Sequence, residues 1–408
     1  MLIKPMIRSN ICINAHPVGC ARETLNQINY VKGQKTKRGT KSVKEGGNGP
    51  KTVLVLGCST GYGLASRIAA AFEYGADTIG VSFEKEATVT KGGTPGWYNN
   101  LEFDREAAKA GLKSVTLNAD AYSDETRTKV INILKDWGVK ADLVIYSLAS
   151  PVRTDPDTGI LYKSVIKPIN QVYSGDALDM MSGRISHAET QCAVGDEIPN
   201  TVKVMGGEDW ERWIKTLKAS DVLASGCRTV AYSYIGPKLS HAIYRDGTIG
   251  EAKKHLEKTS FVNDEILKDI GGASYVSVNK GLVTRSSAVI PIISEYLGVL
   301  FKIMKKNGTH EGCIEQMERL FAERLYTGSN NGAGKVPVDS ENRIRMDDWE
   351  LDPKVQEEVD KIMPTVTEEN VSETTDLAGL RHDFLAINGF DIEGVDYTKE
   401  VTDMTSID

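Results

Sequence analysis

The sequence predicts an α/β fold built on a doubly wound, mostly parallel β-sheet. Two observations predict it: short apolar stretches typical of strands alternate with stretches typical of helices, and a glycine-rich turn follows the first strand of the series. The chain has 408 residues, 40% of them hydrophobic, which is enough to fill the core of one large domain or two smaller ones. Because no internal repeat or clean linker interrupts it, we expect a single domain over residues 1–408.

The expected elements can be placed in order along the chain. Strands are expected at Thr52–Leu56, Thr78–Ser82, Lys113–Leu117, Leu143–Ser147, Thr229–Tyr234 and Tyr275–Val278. Helices are expected at Gly63–Tyr74, Asp124–Trp137, Trp210–Leu217, from Thr248 onward, at Ala288–Met304 and at 309–327. Strands that alternate with helices in this way pair in parallel.

Composition and charge argue against several classes of protein. The formal net charge is −7 with acidic and basic residues mixed, so no basic stripe indicates nucleic acid binding. The cysteines form no C-x-x-C pair and the histidines no H-x-x-x-H spacing, so we expect reduced thiols, a cytoplasmic protein and no metal site. No signal peptide is indicated, and no apolar run approaches the roughly 18 residues that a membrane span needs.

A glycine-rich turn joins the first expected strand to the first expected helix. Gly57 allows a tight turn, Gly61 lets the backbone approach a pyrophosphate, and Gly63 lets the helix pack closely on the strand. The helix N-terminus offers free N–H groups and a positive dipole end to phosphates. The turn therefore predicts dinucleotide binding in a Rossmann-type sheet, with Cys58 as a small packing residue rather than a nucleophile. The expected contacts of the turn are Gly57, Cys58, Ser59, Thr60, Gly61, Tyr62 and Gly63.

Residues at the ends of the next strands predict further cofactor contacts. Phe83 and Glu84 end the second strand, and an acidic residue about 20 positions beyond the glycines is expected to bind the adenosine ribose hydroxyls. Glu84 would also repel a 2′-phosphate, which favours NADH over NADPH. Neighbouring Lys85 weakens this repulsion, and a solvated charge at a strand end is the alternative interpretation. Two pairs after the third and fourth strands are expected near the adenine and the middle of the cofactor: Asp120 with Ala121, and Leu148 with Ala149.

Tyr244 and Lys253 form a second motif, nine positions apart. On one continuous helix, nine steps of about 100° would put them on opposite faces. However, Asp246-Gly247 signals a turn, and Thr248 with Glu251 has the spacing of a capping box. The helix is therefore expected to begin at Thr248 and to leave Tyr244 in the loop before it, so both side chains can face one cleft.

This tyrosine–lysine pair suits the reduction of a conjugated thioester beside a nicotinamide. Hydride addition places negative charge on the carbonyl oxygen, and a tyrosine hydroxyl can donate to that enolate. A nearby lysine ammonium favours the charge and can hold the nicotinamide ribose. Tyr234 ends an apolar strand nearby, and its pattern fits either a second hydroxyl donor or a packing tyrosine.

The motifs divide the chain into five parts. These are an irregular N-terminal extension (1–50), a dinucleotide-binding half (51–150), an insertion at the carboxyl edge of the sheet (151–206), a catalytic half (207–330) and a C-terminal helical elaboration (331–408). Trp210 and Trp213 are expected to anchor an amphipathic helix. The acidic segment Asp347–Leu351 is expected to be a solvated turn.

Segments spread over nearly the whole chain resemble the FabV-type enoyl reductases, most closely their trans-2-enoyl-CoA reductase branch. The eight-residue gap between Tyr244 and Lys253 is distinctive, since ordinary short-chain dehydrogenases have a three-residue gap. The other matching segments are Gly57–Arg67, Gly80–Lys85, Gly96–Asn100, Tyr146–Pro151, Met205–Trp210, Tyr232–Gly236, Val276–Arg285 and Asp383–Phe390.

The resemblance implies roles for individual residues. Tyr244 would be the proton donor, Tyr234 would contact the substrate thioester, and Lys253 would bind the cofactor. A monomeric, NADH-dependent enzyme is implied, with the N-terminal element Ile11–Pro17 near the active site. The nicotinamide carboxamide would be held by Leu282, Val283 and Thr284.

The expected function is the NADH-dependent reduction of the C2=C3 double bond of a trans-2-enoyl-CoA, such as crotonyl-CoA, in fatty acid synthesis or butyrate-type metabolism. Two alternatives stay open: reduction of enoyl-[acyl-carrier protein] in type II fatty acid synthesis, and an NAD(H)-binding regulator without turnover. The presence of both Tyr244 and Lys253 argues against the regulator.

Overall fold

A parallel sheet forms the centre of the molecule. The structure is a computed structural model that describes residues 1–8, 11–285, 293–327 and 335–408. Within these residues the central sheet has seven strands, which are β3 (Thr52–Leu56), β4 (Asp77–Ser82), β5 (Ser114–Asn118), β6 (Ala141–Tyr146), β11 (Leu223–Ser233), β12 (Ala273–Val278) and β13 (Arg343–Arg345). All seven are parallel, in the order β13-β12-β11-β6-β3-β4-β5.

The order of the strands reverses between β3 and β6. From β3 the chain builds outward to β4 and β5 on one side, and then returns to β6 and builds outward to β11, β12 and β13 on the other. In open α/β sheets, ligands bind outside the carboxyl ends of the strands at such a switch point. The fold class predicted from the sequence is confirmed.

In the described residues, helices cover both faces of this sheet, and three two-stranded hairpins lie outside it. The helices are α1 (Pro17–Arg38), α2 (Gly61–Ile68), α3 (Pro95–Lys109), α4 (Asp124–Trp137), α5 (Glu197–Met205), α6 (Glu208–Ala219), α7 (Thr248–Leu267), α8 (Ile293–Asn307), α9 (Cys313–Leu320), α10 (Pro353–Ile362), α11 (Val371–Thr374) and α12 (Leu377–Ala386). The hairpins pair β1 (Ile7–Arg8) with β2 (Ile11–Cys12), β7 (Val152–Thr154) with β8 (Leu161–Lys163), and β9 (Tyr173–Leu178) with β10 (Ile185–Thr190).

The central strands are buried on both faces, as strands of a helix-covered parallel sheet must be. Successive side chains of β3 point to opposite faces. Val53 and Val55 pack in one core cluster with residues of α1, α2 and α9, whereas Leu54 and Leu56 pack in a second with residues of α4, α6 and α7. Alternate side chains of the same strand therefore contribute to the two core clusters on opposite faces of the sheet.

Helix Asp124–Trp137 and strand Thr52–Leu56 have the bounds that the sequence predicts. The helix expected at Gly63–Tyr74 begins at Gly61 and continues after Ile68 as a π-helical turn, Ala69–Glu73. The long helix expected at Ala288–Met304 occupies Ile293–Asn307, and positions 288–292 lie outside the described residues. No helix in the described parts of the chain is both long and apolar enough to span a membrane.

The prediction that residues 1–50 are irregular is wrong. They contain the 22-residue helix α1, which begins after His16, whose Nδ1 accepts a hydrogen bond from the amide of Gly19 at 3.2 Å. Gly39, in a left-handed conformation, ends the helix. The buried face of α1 is narrow and packs on α3 and α2, so contacts with distant segments stabilise a helix whose own apolar pattern is weak.

Candidate active site

The predicted site residues lie together along the carboxyl edge of the sheet. Each group follows the end of one parallel strand, and the carboxyl ends of parallel strands share one edge. The groups are Gly57–Gly63 after β3, Phe83 and Glu84 after β4, Asp120 and Ala121 after β5, Leu148 and Ala149 after β6, Tyr234 after β11, and Leu282–Thr284 after β12.

The three glycines of the glycine-rich turn differ in backbone conformation and in the space around them. Gly57 has φ +88°, and a Cβ there would lie 2.3 Å from the carbonyl oxygen of Ser147. A Cβ on Gly63 would lie 1.8 Å from the carbonyl oxygen of Gly57, so helix α2 can pack here only without a side chain. Gly61 has φ +54°, but a Cβ there would meet no protein atom within 4 Å. Open space therefore lies beside Gly61 at the first turn of α2, and a helix N-terminus is a place where phosphates bind.

The side chains of this turn point in different directions. The Cys58 thiol is fully buried, and burial raises its pKa, which fits a packing residue and not a nucleophile. The Tyr62 hydroxyl donates to the carbonyl oxygen of Lys280 at 2.7 Å, across to the end of β12. Thr60 is the N-cap of α2, but its side chain makes no capping hydrogen bond. The amides of the first turn are therefore not covered by Thr60.

Glu84 lies beside this turn with its carboxylate held in place. The Ser59 hydroxyl donates to Oε1 at 2.6 Å, and the Arg285 guanidinium lies 3.3 Å from Oε2. The Glu84 amide donates to Asn118 at 2.7 Å, which ties the ends of β4 and β5 together. A fixed carboxylate next to a phosphate-binding turn can accept hydrogen bonds from ribose hydroxyls.

The expected adenine end of the site is more open. The Phe83 ring is 80% exposed, so one of its faces is free to stack on a planar ligand. Asp120 accepts from the amide of Tyr122 at 2.9 Å, whereas Ala121 is buried and its carbonyl accepts from Trp213. Trp213, like Trp210, is a fully buried anchor of helix α6, as the sequence predicts.

Tyr244 and Tyr234 are in direct contact. Their ring centroids are 4.9 Å apart and their planes meet at 87°, an edge-to-face pair. Burial raises the pKa of each hydroxyl above its usual value of 10.0, and the negative charge of Glu350 raises it further. Both hydroxyls are therefore protonated at neutral pH, and the single proton of the Tyr234 hydroxyl is used in a hydrogen bond to the carboxylate of Glu350 at 3.0 Å.

Tyr244 lies in the loop before α7, as the sequence predicts, and α7 begins at Thr248. The predicted capping box is wrong. Gly247 is the N-cap, and the Thr248 hydroxyl instead donates to the carbonyl oxygen of Val165 at 2.5 Å and accepts from the amide of Lys167 at 3.1 Å. The start of α7 is therefore joined to the insertion.

Lys253 completes the group around the end of β11. Its side chain is partly buried, and the ammonium donates to the carbonyl oxygen of Tyr232 at 2.8 Å. Burial lowers the pKa of Lys253 to about 8, and the negative charge of Glu257 opposes that shift. The structure thus brings the lysine to the strand end that carries Tyr234, which in turn contacts Tyr244.

Glu350 belongs to this site but is absent from the sequence-based prediction. The prediction that Asp347–Leu351 is a solvated turn is wrong, because both Asp347 and Glu350 are fully buried. One oxygen of Glu350 accepts from the Tyr234 hydroxyl at 3.0 Å, and the other accepts from the amide of Gly281 at 2.7 Å. Acidic composition indicated a surface turn, whereas the partners that bury the carboxylate are 116 and 69 positions away.

The fold, the glycine turn and the tyrosine–lysine group define a nicotinamide-dependent oxidoreductase. Three family models match the chain: the NAD(P)H binding domain of trans-2-enoyl-CoA reductase over residues 2–89, the trans-2-enoyl-CoA reductase catalytic region over 91–326, and a model described as an enoyl reductase FAD binding domain over 338–401. The chain belongs to the trans-2-enoyl-CoA reductase family.

Individual relatives cover the full length. The trans-2-enoyl-CoA reductase [NADH] of Treponema denticola is 58% identical over 98% of both chains. The crystal structure of the Treponema denticola trans-2-enoyl-CoA reductase in complex with NAD matches with a TM-score of 0.94 and 56% identity over 100% of both chains. An enoyl-[acyl-carrier-protein] reductase [NADH] of Flavobacterium psychrophilum is 49% identical over 100% of this chain and 99% of its own.

The segment matched by the model named for FAD does not have the features of a dinucleotide site. Residues 338–401, all of which the structure describes, form the edge strand β13 and helices α10–α12. No strand, glycine turn and helix follow one another there in the arrangement that the first half of the chain has at Gly57–Gly63. These residues therefore do not fit a flavin, and the segment instead supplies Glu350 to the site.

Proposed function

We propose that this chain catalyses the NADH-dependent reduction of the C2=C3 double bond of a trans-2-enoyl-CoA, such as crotonyl-CoA, to the acyl-CoA. The observation that carries the proposal is the convergence of Tyr244, Tyr234 and Lys253 at the end of β11, on the sheet edge that also bears the glycine turn. The family to which the chain belongs supports it.

The residues of the site divide the chemistry between them. NADH, when bound, supplies the hydride that adds to C3 of the enoyl thioester. The carbonyl oxygen then takes up negative charge, and the Tyr244 hydroxyl donates a hydrogen bond to it and a proton toward C2. The tyrosinate so formed regains a proton from solvent, which restores the protein. Tyr234 packs edge-to-face on Tyr244 and holds the donor ring in place beside the thioester.

Lys253 and Glu84 orient the cofactor in this proposal. The Lys253 ammonium binds the nicotinamide ribose and stabilises the charge that develops on the thioester oxygen. Glu84 accepts hydrogen bonds from the adenosine ribose and disfavours a 2′-phosphate, so NADH is preferred. Leu282 and Val283 are buried after β12, where they line the nicotinamide end of the site together with Thr284.

Acyl-CoA is preferred here over an acyl carrier protein. A carrier protein is acidic and docks on exposed positive charge. In the insertion, Lys167 and Lys203 are in ion pairs of 2.6 Å with Glu197 and Asp155. Lys163 and Arg184 are exposed, so the preference for acyl-CoA rests on the family of the chain and not on surface charge. The Flavobacterium psychrophilum relative keeps the carrier protein as the alternative substrate.

The proposed enzyme is a monomer and is located in the cytoplasm. The six cysteines are all free thiols, as is usual in a reducing compartment. Sedimentation of the purified protein tests the monomer, since a dimer would double the mass.

The first experiment is to follow NADH absorbance with crotonyl-CoA, with NADPH and crotonyl-[acyl-carrier protein] in parallel. Fast loss of NADH with crotonyl-CoA, and slower loss in the other two assays, is expected. Faster turnover of the carrier protein substrate would favour the alternative. NADH binding without oxidation of any enoyl thioester, including longer chains, would mean a regulator.

A further inference from the structure

A buried carboxylate connects three separate parts of the active-site region. Glu350 is fully buried and lies between β13 and α10. Its Oε1 accepts from the hydroxyls of Tyr234, at 3.0 Å, and Tyr296, at 2.7 Å. Its Oε2 accepts from the amide of Gly281 at 2.7 Å. The end of β11, the turn after β12 and helix α8 are therefore held by one side chain.

The connection carries an energetic cost that calls for an explanation. Burial raises the pKa of Glu350, and the charge of the buried Lys280 ammonium opposes the rise. A buried carboxylate costs free energy unless its hydrogen bonds are complete, and here both oxygens have donors. A leucine or methionine at this position would avoid that cost, but it could not orient a hydroxyl and an amide at the same time.

The two oxygens of the Glu350 carboxylate bind two different segments of the site. Oε1 fixes the rotation of the Tyr234 hydroxyl and, through the ring contact of 4.9 Å, the position of Tyr244. Oε2 fixes Gly281, which immediately precedes the buried residues Leu282 and Val283. In the proposed function these segments contact the thioester and the nicotinamide.

We propose that Glu350 is a positioning residue, which sets the distance between the substrate tyrosines and the nicotinamide-binding segment by holding Tyr234 with one oxygen and Gly281 with the other. It touches neither substrate nor cofactor and acts through these two partners. A misplacement of about 1 Å between reacting groups costs on the order of 100-fold in rate, so such a connection matters to turnover. This inference rests on the proposed function.

The test is a double-mutant cycle in the full-length protein, with Glu350→Gln, Tyr234→Phe and the double variant. Glutamine has the size of glutamate, but it is uncharged and its NH₂ group cannot accept. The hydrogen bond from Tyr234 is therefore lost if the NH₂ group faces the tyrosine and is weakened to a neutral one if the amide oxygen does. At saturating crotonyl-CoA and NADH, Glu350→Gln is expected to lower kcat by about tenfold or more, as expected for a hydrogen bond to a charged group. In the Tyr234→Phe background the same change is expected to lower kcat by less than about threefold, because its partner is already absent.

The dissociation constant of NADH gives a second readout. Glu350→Gln is expected to weaken NADH binding several-fold in both backgrounds, because Gly281 is still affected when Tyr234 is gone. A purely structural role would lower thermal stability and would reduce kcat by the same factor in both backgrounds. Equal factors, or a Glu350→Gln protein with the parent kcat, would overturn the proposal.

Controls separate this result from instability and from failure of the proposed function. Asp347→Asn removes another fully buried carboxylate of the same segment, whose partner is Arg345, and is expected to lower stability with kcat near the parent value. If the Glu350→Gln protein does not fold, Glu350→Asp keeps the charge, withdraws the carboxylate by about 1.5 Å, and gives the same cycle. A parent protein that oxidises no NADH with any enoyl thioester would refute the proposed function, whereas an active parent with equal factors refutes only the role of Glu350.

Discussion

The rings of Tyr234 and Tyr244 meet edge to face, with centroids 4.9 Å apart and an interplanar angle of 87°. One ring comes from the end of strand β11, and the other comes from the loop before α7. An edge-to-face pair is worth about 0.5–1.5 kcal/mol beyond the area it buries, so each ring restricts the other. The loop residue Tyr244 is thus held against a ring from a strand end, and a proton donor needs such a fixed position.

Replacement of Tyr244 by phenylalanine tests its role as donor. The ring and its contact with Tyr234 are kept, and only the hydroxyl is lost. We expect kcat with crotonyl-CoA to fall by about 10²–10⁴-fold, the usual contribution of a general acid, while the dissociation constant of NADH changes by less than about twofold. Stopped-flow absorbance measures the first quantity and NADH fluorescence the second.

A matched control for this change is Tyr275→Phe. Tyr275 is a partly buried tyrosine near the start of β12, on the side of the sheet away from the carboxyl edge, and it packs against the first core cluster. It is expected to keep the parent kcat. Parent-like turnover in Tyr244→Phe would show that another group supplies the proton.

Replacement of Glu84 by alanine tests cofactor preference. The change removes the carboxylate that accepts from Ser59 and also releases the Arg285 guanidinium, which can then pair with a 2′-phosphate. We expect the ratio of kcat/KM for NADH over NADPH to narrow by about tenfold or more, the value of a charge-assisted hydrogen bond. Lys85→Ala removes the exposed cation that weakens the repulsion between Glu84 and a 2′-phosphate, so it is expected to change the ratio in the opposite direction, by less than about fivefold. An unchanged ratio in Glu84→Ala would remove Glu84 from the specificity argument.

The parts of the fold that the sequence predicts well are those with strong local signals. Strand Thr52–Leu56 is continuous apolar sequence before a glycine turn, and helix Asp124–Trp137 has Ser123 as a side-chain cap and Gly138 in a left-handed conformation after it. Helix Pro17–Arg38 has comparable caps in His16 and Gly39, but its weak apolar pattern concealed it. Tertiary packing stabilises this helix, and the residues of the helix alone do not show which distant segments it packs against.

In the site, too, the sequence predicts features that depend on nearby residues and does not predict features that depend on distant residues. The loop position of Tyr244 follows from a turn signal and a helix start within a few residues of it. The Thr248 hydroxyl, by contrast, makes its hydrogen bonds to Val165 and Lys167, more than 80 positions earlier, and so does not cap its own helix. Glu350 is the extreme case, because every side-chain partner of its carboxylate is brought to it by the tertiary fold.

Two alanine substitutions in the glycine turn separate its roles in packing and in binding. At Gly63 a Cβ would overlap the carbonyl oxygen of Gly57, so Gly63→Ala must displace α2, and we expect a loss of about 1–3 kcal/mol in the free energy of unfolding. At Gly61 a Cβ meets no protein atom, so Gly61→Ala costs only the strain of φ +54°, about 1–2 kcal/mol. The Cβ of the second variant would instead occupy the space proposed for the pyrophosphate.

The measurement that distinguishes these two roles is NADH titration together with urea unfolding. Gly61→Ala is expected to weaken NADH binding by more than about tenfold at a temperature where the protein is fully folded. Gly33→Ala, in α1, where a Cβ likewise meets nothing within 4 Å, is the control and should bind NADH like the parent. Normal NADH binding by Gly61→Ala would place the pyrophosphate elsewhere.

The pH dependence of NADH binding follows from Lys253. Its pKa is lowered by burial from 10.5 to about 8, so the free protein loses this positive charge as the pH rises through about 8. We expect the dissociation constant of NADH to increase between pH 7 and pH 9.5. The stability of the free protein should change in the opposite sense, because above pH 8 the unfolded chain binds the proton that the folded chain has released, so this lysine contributes stability as the pH rises toward 10.5. Burial also lowers the pKa of Lys280 to about 8, so Lys280 adds to the change in stability with pH.

The variant Lys253→Arg tests whether Lys253 causes the change in NADH binding. Arginine stays charged, so this variant should bind NADH with little change in dissociation constant between pH 7 and pH 9.5. An unaltered increase in Lys253→Arg would assign the titration to another group and would contradict the role of the Lys253 charge in NADH binding.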